Sequence, residues 1–326
     1  MISFKLRTHP ALSLPSIGLG TYAPSAPPGA IKAAVIAALH AGCRHIDTAY
    51  SYGSEEEVGE GIRESGVRRE EVFVTTKLFQ TFHRPEDVKV GLERSLRRLG
   101  LEYVDLFLMH FPHAYIPGPD YTPLPHPTIP NCILIDSLLS RNPSITWAAM
   151  QDLLPTGLCR AIGVSNFSIL KLRTLLAAPT THIIPAVNQV ELHPYLPQPS
   201  LLKFCRENGI HVTAHSPLGG VPAALVAMEP ELPGPVEDEV VKAIARERGW
   251  TPQEVLLAWA VTRGTSVVPK SIDPERIRRN LQVGVLTEVE MEMLEGIAVR
   301  RRRNNHKNLI GFDIFDEERD EPVEDV

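Results

Sequence analysis

Short apolar runs, many rich in β-branched residues, alternate along the chain with longer segments whose apolar positions recur at helical spacing. The runs Ile17–Leu19, Arg44–Ile46, Val72–Thr76, Val104–Met109, Ala161–Val164, Ala186–Val190, Ile210–Ala214 and Ser266–Val268 read as strands. Such runs, apolar without alternation, suit strands covered on both faces of a parallel sheet. Between them Ile31–Ala41, Glu55–Glu64, Glu86–Leu99, Thr146–Leu154, Ile169–Ala177, Leu201–Asn208, Val236–Arg248 and Glu275–Leu281 read as helices. That order makes eight βα repeats, the number that closes a parallel sheet into an α/β (β/α)8 barrel of the TIM type. A possible hairpin, Phe4–Leu14, precedes the first repeat. No break in composition separates the repeats, which predicts one domain over residues 1–326.

Three stretches interrupt the rhythm: His113–Pro143, Leu218–Pro235 and Ala298–Val326. Long loops in a compact domain are usually functional or disordered. Each of these follows a strand end or the end of the barrel, so they are expected to wall a cleft at the carboxyl-terminal face. The acidic end, Asp316–Val326, reads as a solvated, flexible tail. A net charge of −6 argues against a nucleic-acid footprint. No apolar run approaches ~18 residues, so no membrane span is expected. The first residues carry no sustained apolar leader, which predicts a cytoplasmic protein. Cys43, Cys132, Cys159 and Cys205 show no metal-ligand spacing, and no metal site is expected; Cys43, Cys159 and Cys205 border apolar runs and read as buried reduced thiols.

The chemistry gathers at three successive strand ends. Asp47 and Tyr52 follow the second strand, Lys77 the third and His110 the fourth. In barrels the loops after the strands converge on one face, so these four groups are expected to form one site. Carbonyl reduction, which the family resemblance described next implies, needs groups of these types. Hydride delivery to a carbonyl carbon leaves negative charge on oxygen, and a proton donor must stand beside it. A phenol with pKa about 10 is a slow donor, and a lysine beside it would lower that value. An aspartate would hold the buried ammonium in place.

These stretches resemble the aldo-keto reductase family. The likeness runs through Gly20-Thr21, Gly42–Glu55 (GCRHIDTAYSYGSE), Thr75–Leu78, Asp105–Pro112, Gly163–Phe167, Asn188–Pro194, Ser216–Gly219 and Val268–Ser271, in family order and over nearly the whole chain. The resemblance implies a barrel that binds NADP(H) and reduces aldehydes or ketones, aldoses or polyol-related carbonyls among them, to alcohols. Tyr52 is then the general acid, Lys77 and Asp47 tune it, and His110 orients the carbonyl through a hydrogen bond or joins the proton relay. The rival reading is a cofactor-binding regulatory or redox-sensing barrel with little turnover. The expected partner is a small-molecule carbonyl or alcohol, with the protein a monomer or weak dimer.

For the cofactor, the resemblance implies Gly20 and Thr21 among its contacts and Ser165, Asn166 and Gln189 on the nicotinamide carboxamide. It implies Ser216 and Leu218 at the pyrophosphate, and Lys270, Ser271 and Arg276 at a 2′-phosphate. Two positions depart from the family pattern. His215 stands where a tyrosine is common, and Arg279 where a glutamate often meets adenine; Asn280 still matches an adenine contact. Tyr22, Phe79 and Phe111 are expected to line the substrate pocket. Asn304, Asn305, His306 and Asn308 lie where the family's last loop approaches substrate, and polar amides there would favour sugars or polyols.

Overall fold

The computed structural model describes residues 2–220, 233–299, 307–310 and 314–315. The acidic tail, the Arg300–Arg303 run, Asn304, Asn305 and His306 lie outside these residues, and for Asn308 only the backbone is included.

The chain opens with an antiparallel hairpin, β1 (Ser3–Leu6) and β2 (His9–Pro15). The parallel strands follow: β3 (Leu19–Gly20), β4 (His45–Asp47), β5 (Phe73–Leu78) and β6 (Leu106–Met109). A two-stranded ribbon, β7 (Ala114–Tyr115) and β8 (Ile135–Asp136), is inserted next. The sheet then continues through β9 (Ile162–Ser165), β10 (Val187–Glu191), β11 (His211–His215) and β12 (Ser266–Val267). Eight parallel strands pair in the order β3-β4-β5-β6-β9-β10-β11-β12. The last meets the first: Gly18 N donates to Val267 O at 2.8 Å, Val267 N to Ser16 O at 2.8 Å, and Gly20 N to Pro269 O at 2.9 Å. The sheet is therefore a closed barrel, as the count of repeats predicts. Gly20 sits on this seam, where a Cβ would lie 2.7 Å from the Val268 carbonyl oxygen.

The helices are α1 (Ala30–His40), α2 (Glu55–Glu64), α3 (Pro85–Leu99), α4 (Ser137–Arg141), α5 (Pro143–Gln151) and α6 (Ile169–Ala177). Next come α7 (Pro199–Glu207), α8 (Glu239–Arg248), α9 (Pro252–Thr262), α10 (Pro274–Asn280), α11 (Glu288–Glu295) and α12 (Lys307–Ile310). Local chemistry sets their ends. Helix α3 starts with Pro85, buries Val88, Leu92, Leu96 and Leu99 along one stripe, and stops at Gly100 with φ 63°. Helix α2 lies so close to α3 that a Cβ on Gly59 would stand 1.8 Å from the Leu99 carbonyl oxygen.

The two ends of the barrel differ. At the amino-terminal end Leu6, Leu12 and Leu14 of the hairpin pack on Phe73, Leu106, Leu108, Ala161 and Val187 and close it. At the other end the polar groups of the strand tips are left under loops. There the stretch His113–Pro143 carries its own ribbon, and Ile133 N bonds Leu309 O at 2.8 Å, bringing α12 over Phe111 and Tyr115. Of the second long stretch, residues 221–232 lie outside the described residues. All four cysteines are buried, and none forms a disulfide. Among the described residues no helix is long and apolar enough to cross a membrane.

Candidate active site

Strand alternation points Phe73, Thr75 and Lys77 of β5 to one side, and Asp47 pairs in register with Thr75. Lys77 thus stands just beyond Asp47 toward the carboxyl end. Its Nζ donates to Asp47 Oδ1 at 2.6 Å, to the Thr48 carbonyl at 2.8 Å and to Tyr52 Oη at 3.3 Å. The other Asp47 oxygen accepts from Gln189 Nε2 of β10 at 2.7 Å. Lys77 and Asp47 are 1 % and 2 % exposed, so their opposite charges are held out of water with their hydrogen-bonding capacity used.

Burial by itself would drive the Lys77 ammonium to lose its proton. The Asp47 charge and hydrogen bond, with Tyr52, outweigh that and hold its pKa above the usual value. The Tyr52 phenol is pushed up by burial, pulled back by Lys77 and pushed again by Asp47, with a net rise. Lys77 therefore acts in the expected direction on Tyr52 but does not set the balance. The resting arrangement is a charged Lys77 beside a Tyr52 that keeps its proton.

Tyr52 lies on a 3-10 turn, Tyr50–Tyr52, immediately after β4. Its ring sits between Tyr22, at 5.0 Å between centroids, and His110, at 5.7 Å and 71°. His110 follows β6 and is anchored by its N–H on the Leu78 carbonyl at 3.2 Å. Its Nδ1 is 3.4 Å from Ser51 Oγ, and its ring stacks on Phe111 at 4.9 Å. The four groups from three strand ends do converge.

Opposite them, the ends of β9, β10 and β11 carry a second polar set. Ser165 Oγ donates to the Gln189 carbonyl at 2.8 Å. Asn166, held at φ 62°, donates through Nδ2 to the His110 carbonyl at 3.0 Å and to Ser165 Oγ at 3.1 Å. Its Oδ1 lies 2.9 Å from His215 Nε2, while His215 Nδ1 lies 3.2 Å from Ser216 Oγ. With the amide oriented by its own two donor bonds, His215 Nε2 carries the hydrogen and Nδ1 accepts from the serine. Hydrogen bonds thus run from Tyr52 through Lys77, Asp47, Gln189, Ser165 and Asn166 to His215.

One cleft of about 800 Å³ spans both sets. Tyr22, Phe79 and Phe111 supply aromatic wall to it, and Ser216, Leu218 and Lys270 line it as well. Gly20, Thr21, Ser165, Asn166, Gln189 and His215 line it too, and Lys77 lies behind Tyr52. Ser271, Arg276, Arg279 and Asn280 stand away from the cleft wall, on or just before α10. The start of α10 is already capped by Asp273, whose carboxylate accepts from Arg276 N at 2.8 Å, and Ser271 Oγ accepts from Asp273 N at 3.1 Å. Lys270 and the Arg276 guanidinium are exposed and, among the described residues, have no ion-pair partner. Arg279 pairs with Glu275 at 3.6 Å on the surface, and Asn280 is 9 % exposed.

The sequence reading missed Ser51, Gln80, Tyr115, Ile133 and Leu309 in the cleft wall. Ser51 stood inside the most informative motif, flanked by two tyrosines. Nothing local marked Ile133 or Leu309, which reach the cleft only through the folding of long loops.

A family model described as Aldo/keto reductase family matches residues 16–299. Glycerol 2-dehydrogenase (NADP(+)) of Saccharomyces cerevisiae is 42 % identical over 317 residues, spanning 95 % of this chain and 96 % of that protein. D-galacturonate reductase of Hypocrea jecorina is 42 % identical over 297 residues, 90 % of each chain. The structure of the aldose reductase from Schistosoma japonicum superposes with a TM-score of 0.85 at 33 % identity, covering 98 % of this chain and 99 % of that one.

Proposed function

The chain belongs to the aldo/keto reductase family, and from that membership we propose that it reduces aldehydes and ketones to alcohols with NADP(H), using Tyr52 as the proton donor. One observation carries the reading: the phenol of Tyr52 faces the cleft while its Oη lies 3.3 Å from a buried ammonium that Asp47 holds at 2.6 Å. Bound NADPH would supply the hydride. The chain's own residues do the rest.

Tyr52 and the His110 ring present hydrogen-bonding groups to a carbonyl oxygen from two sides. As charge builds on that oxygen, the Tyr52 O–H transfers its proton to it. Lys77, already charged and fixed, stabilises the phenolate left behind, and Asp47 with Gln189 keeps the ammonium in place. The alcohol is released and the phenolate regains a proton from water. In the oxidative direction the same phenolate accepts the alcohol proton.

Lys270 and Arg276, which have no ion-pair partner among the described residues, suit the extra phosphate that distinguishes NADP(H) from NAD(H). Ser165, Asn166 and Gln189 form the amide-bearing wall for the nicotinamide, and Ser216 and Leu218 the wall for the pyrophosphate. The named relatives point to small hydroxylated substrates, glycerol and D-galacturonate among them. The aromatic wall formed by Tyr22, Phe79 and Phe111 offers ring faces to the C–H side of such molecules.

The test is NADPH consumption by the purified protein against a panel of aldehydes, ketones, aldoses and uronates. Turnover of at least one class, faster with NADPH than with NADH, is expected. Tight NADPH binding without turnover of any carbonyl would refute the reading and point to a cofactor-sensing barrel.

A further inference from the structure

Ser51 shares the 3-10 turn of the proton donor, lines the cleft and is exposed to it. It has no part in the hydrogen bonds behind Tyr52. Its backbone is held on both sides. Tyr50 is clamped by Arg98, whose guanidinium lies 3.9 Å over the Tyr50 ring and donates to the Tyr50 carbonyl at 3.3 Å. Tyr52 is held between Tyr22 and His110. The Ser51 hydroxyl is therefore presented from a fixed turn, with little ordering left to be done when a ligand arrives.

The surroundings make this hydroxyl distinctive. Around it, among the described residues, the cleft is lined by the rings of Tyr22, Phe79 and Phe111 and by the aliphatic Ile133 and Leu309. Of the other polar side chains that line the cleft, Gln80 and Tyr115 are only 2 % and 3 % exposed and are bonded to each other at 3.3 Å. Ser51 Oγ instead rests 3.4 Å from His110 Nδ1, a long contact that is readily exchanged for a better partner.

We infer that Ser51 is a substrate-contacting residue that selects carbonyl compounds bearing a hydroxyl on the carbon next to the carbonyl, that is, 2-hydroxy aldehydes and 2-hydroxy ketones. The inference rests on the carbonyl-reduction reading above. With the carbonyl oxygen between Tyr52 Oη and the His110 ring, the next carbon is one bond from the reacting centre. A hydroxyl on it lies about 3 Å from the carbonyl oxygen when the two are on the same side. It can then reach Ser51 Oγ, which stands 3.4 Å from His110 Nδ1 on the turn that carries Tyr52. Ser51 can accept from that hydroxyl or donate to it. A hydroxyl one carbon further out passes this point and meets the aromatic wall. A substrate with no hydroxyl there leaves Ser51 on its long contact and gains nothing.

The experiment compares kcat/KM for propanal, 2-hydroxypropanal and 3-hydroxypropanal with NADPH, in the wild-type protein and in Ser51→Ala and Ser51→Thr. NADPH binding is titrated in each by fluorescence. The wild type is expected to prefer 2-hydroxypropanal over both other aldehydes by about tenfold, the discrimination one substrate hydrogen bond gives. Ser51→Ala should bring that ratio close to one, and Ser51→Thr, which restores a hydroxyl, should recover most of it. Equal losses on all three aldehydes in Ser51→Ala, or a wild type without preference for the 2-hydroxy compound, would overturn the inference while leaving carbonyl reduction standing. A wild type that binds NADPH and reduces none of the three would remove the carbonyl-reduction reading, and this inference with it.

Discussion

Asp47 is the residue on which the site's charge balance turns. One oxygen holds Lys77 at 2.6 Å and the other is held by Gln189 at 2.7 Å, a partner 142 positions away. The pairing with Lys77 was legible in the sequence, because acid and amine stand at neighbouring strand ends. The bond to Gln189 was not: the reading put that amide on the cofactor, and only barrel closure brings β10 across to β4. Since the ion pair is almost fully buried, removing one partner leaves an uncompensated charge. Lys77→Met should therefore cost about 3–5 kcal/mol of stability as well as turnover. The Asp47→Asn, Lys77→Met double variant should recover much of the stability and none of the turnover, read by urea denaturation and NADPH consumption. A double variant as unstable as the single one would show that the pair's charge balance is not what holds this part of the fold.

Among the elements, the helices that a periodic pattern marks were legible to within a few residues. Helix α9 was missed because it has no exposed face. Val255–Val261 are all buried, so the apolar positions run on without a period. Only the Thr251 and Glu254 capping box and Pro252 marked its start. Helix α11 was missed as well, although Thr287 and Glu290 form the same box. The reading placed the start of α1 at Ile31, one residue late, but what caps it could not be read locally. Its N-cap is Gly29, which has no side chain, and the cap comes from α2. Glu57 accepts from Gly29 N at 3.0 Å, Ile31 N at 2.9 Å and Lys32 N at 3.1 Å. Burial pushes the Glu57 carboxyl upward, and the three N–H groups more than reverse it, leaving its pKa below the usual value. A carboxylate with a lowered folded pKa stabilises above its unfolded value and loses that contribution as pH falls through the lower one. Glu57→Ala should cost about 1–2 kcal/mol near neutral pH, with faster hydrogen exchange at the Ile31 and Lys32 amides. Unchanged exchange at these amides would mean that α1 does not depend on this cap.

At the scale of the whole molecule the barrel has one end built for stability and one for chemistry. The count of repeats revealed the barrel, since eight buried runs separated by helices leave few other closed arrangements. It did not reveal how the hairpin seals the amino-terminal end. There His45 Nε2 lies 3.0 Å from Thr75 Oγ1, and His211 Nε2 lies 3.0 Å from Ser266 Oγ with Phe4 packed on its ring. Burial lowers both imidazoles to about 4. Both are thus neutral when folded and take up protons on unfolding below about pH 6.5. Their contribution is complete above that value and is lost as pH falls toward 4, each adding a slope of about 1.4 kcal/mol per pH unit. Urea midpoints should drop between pH 7 and pH 5, and His211→Asn should flatten the drop; the same pH dependence in that variant would exclude His211 as a source. The chemical end is tested most directly by Tyr52→Phe, assayed for NADPH-dependent reduction of a carbonyl that the wild type turns over and titrated in parallel for NADPH binding. Loss of kcat by roughly 10²- to 10⁴-fold with NADPH affinity little changed is predicted. Turnover near the wild-type rate would contradict the assignment of Tyr52 as the proton donor.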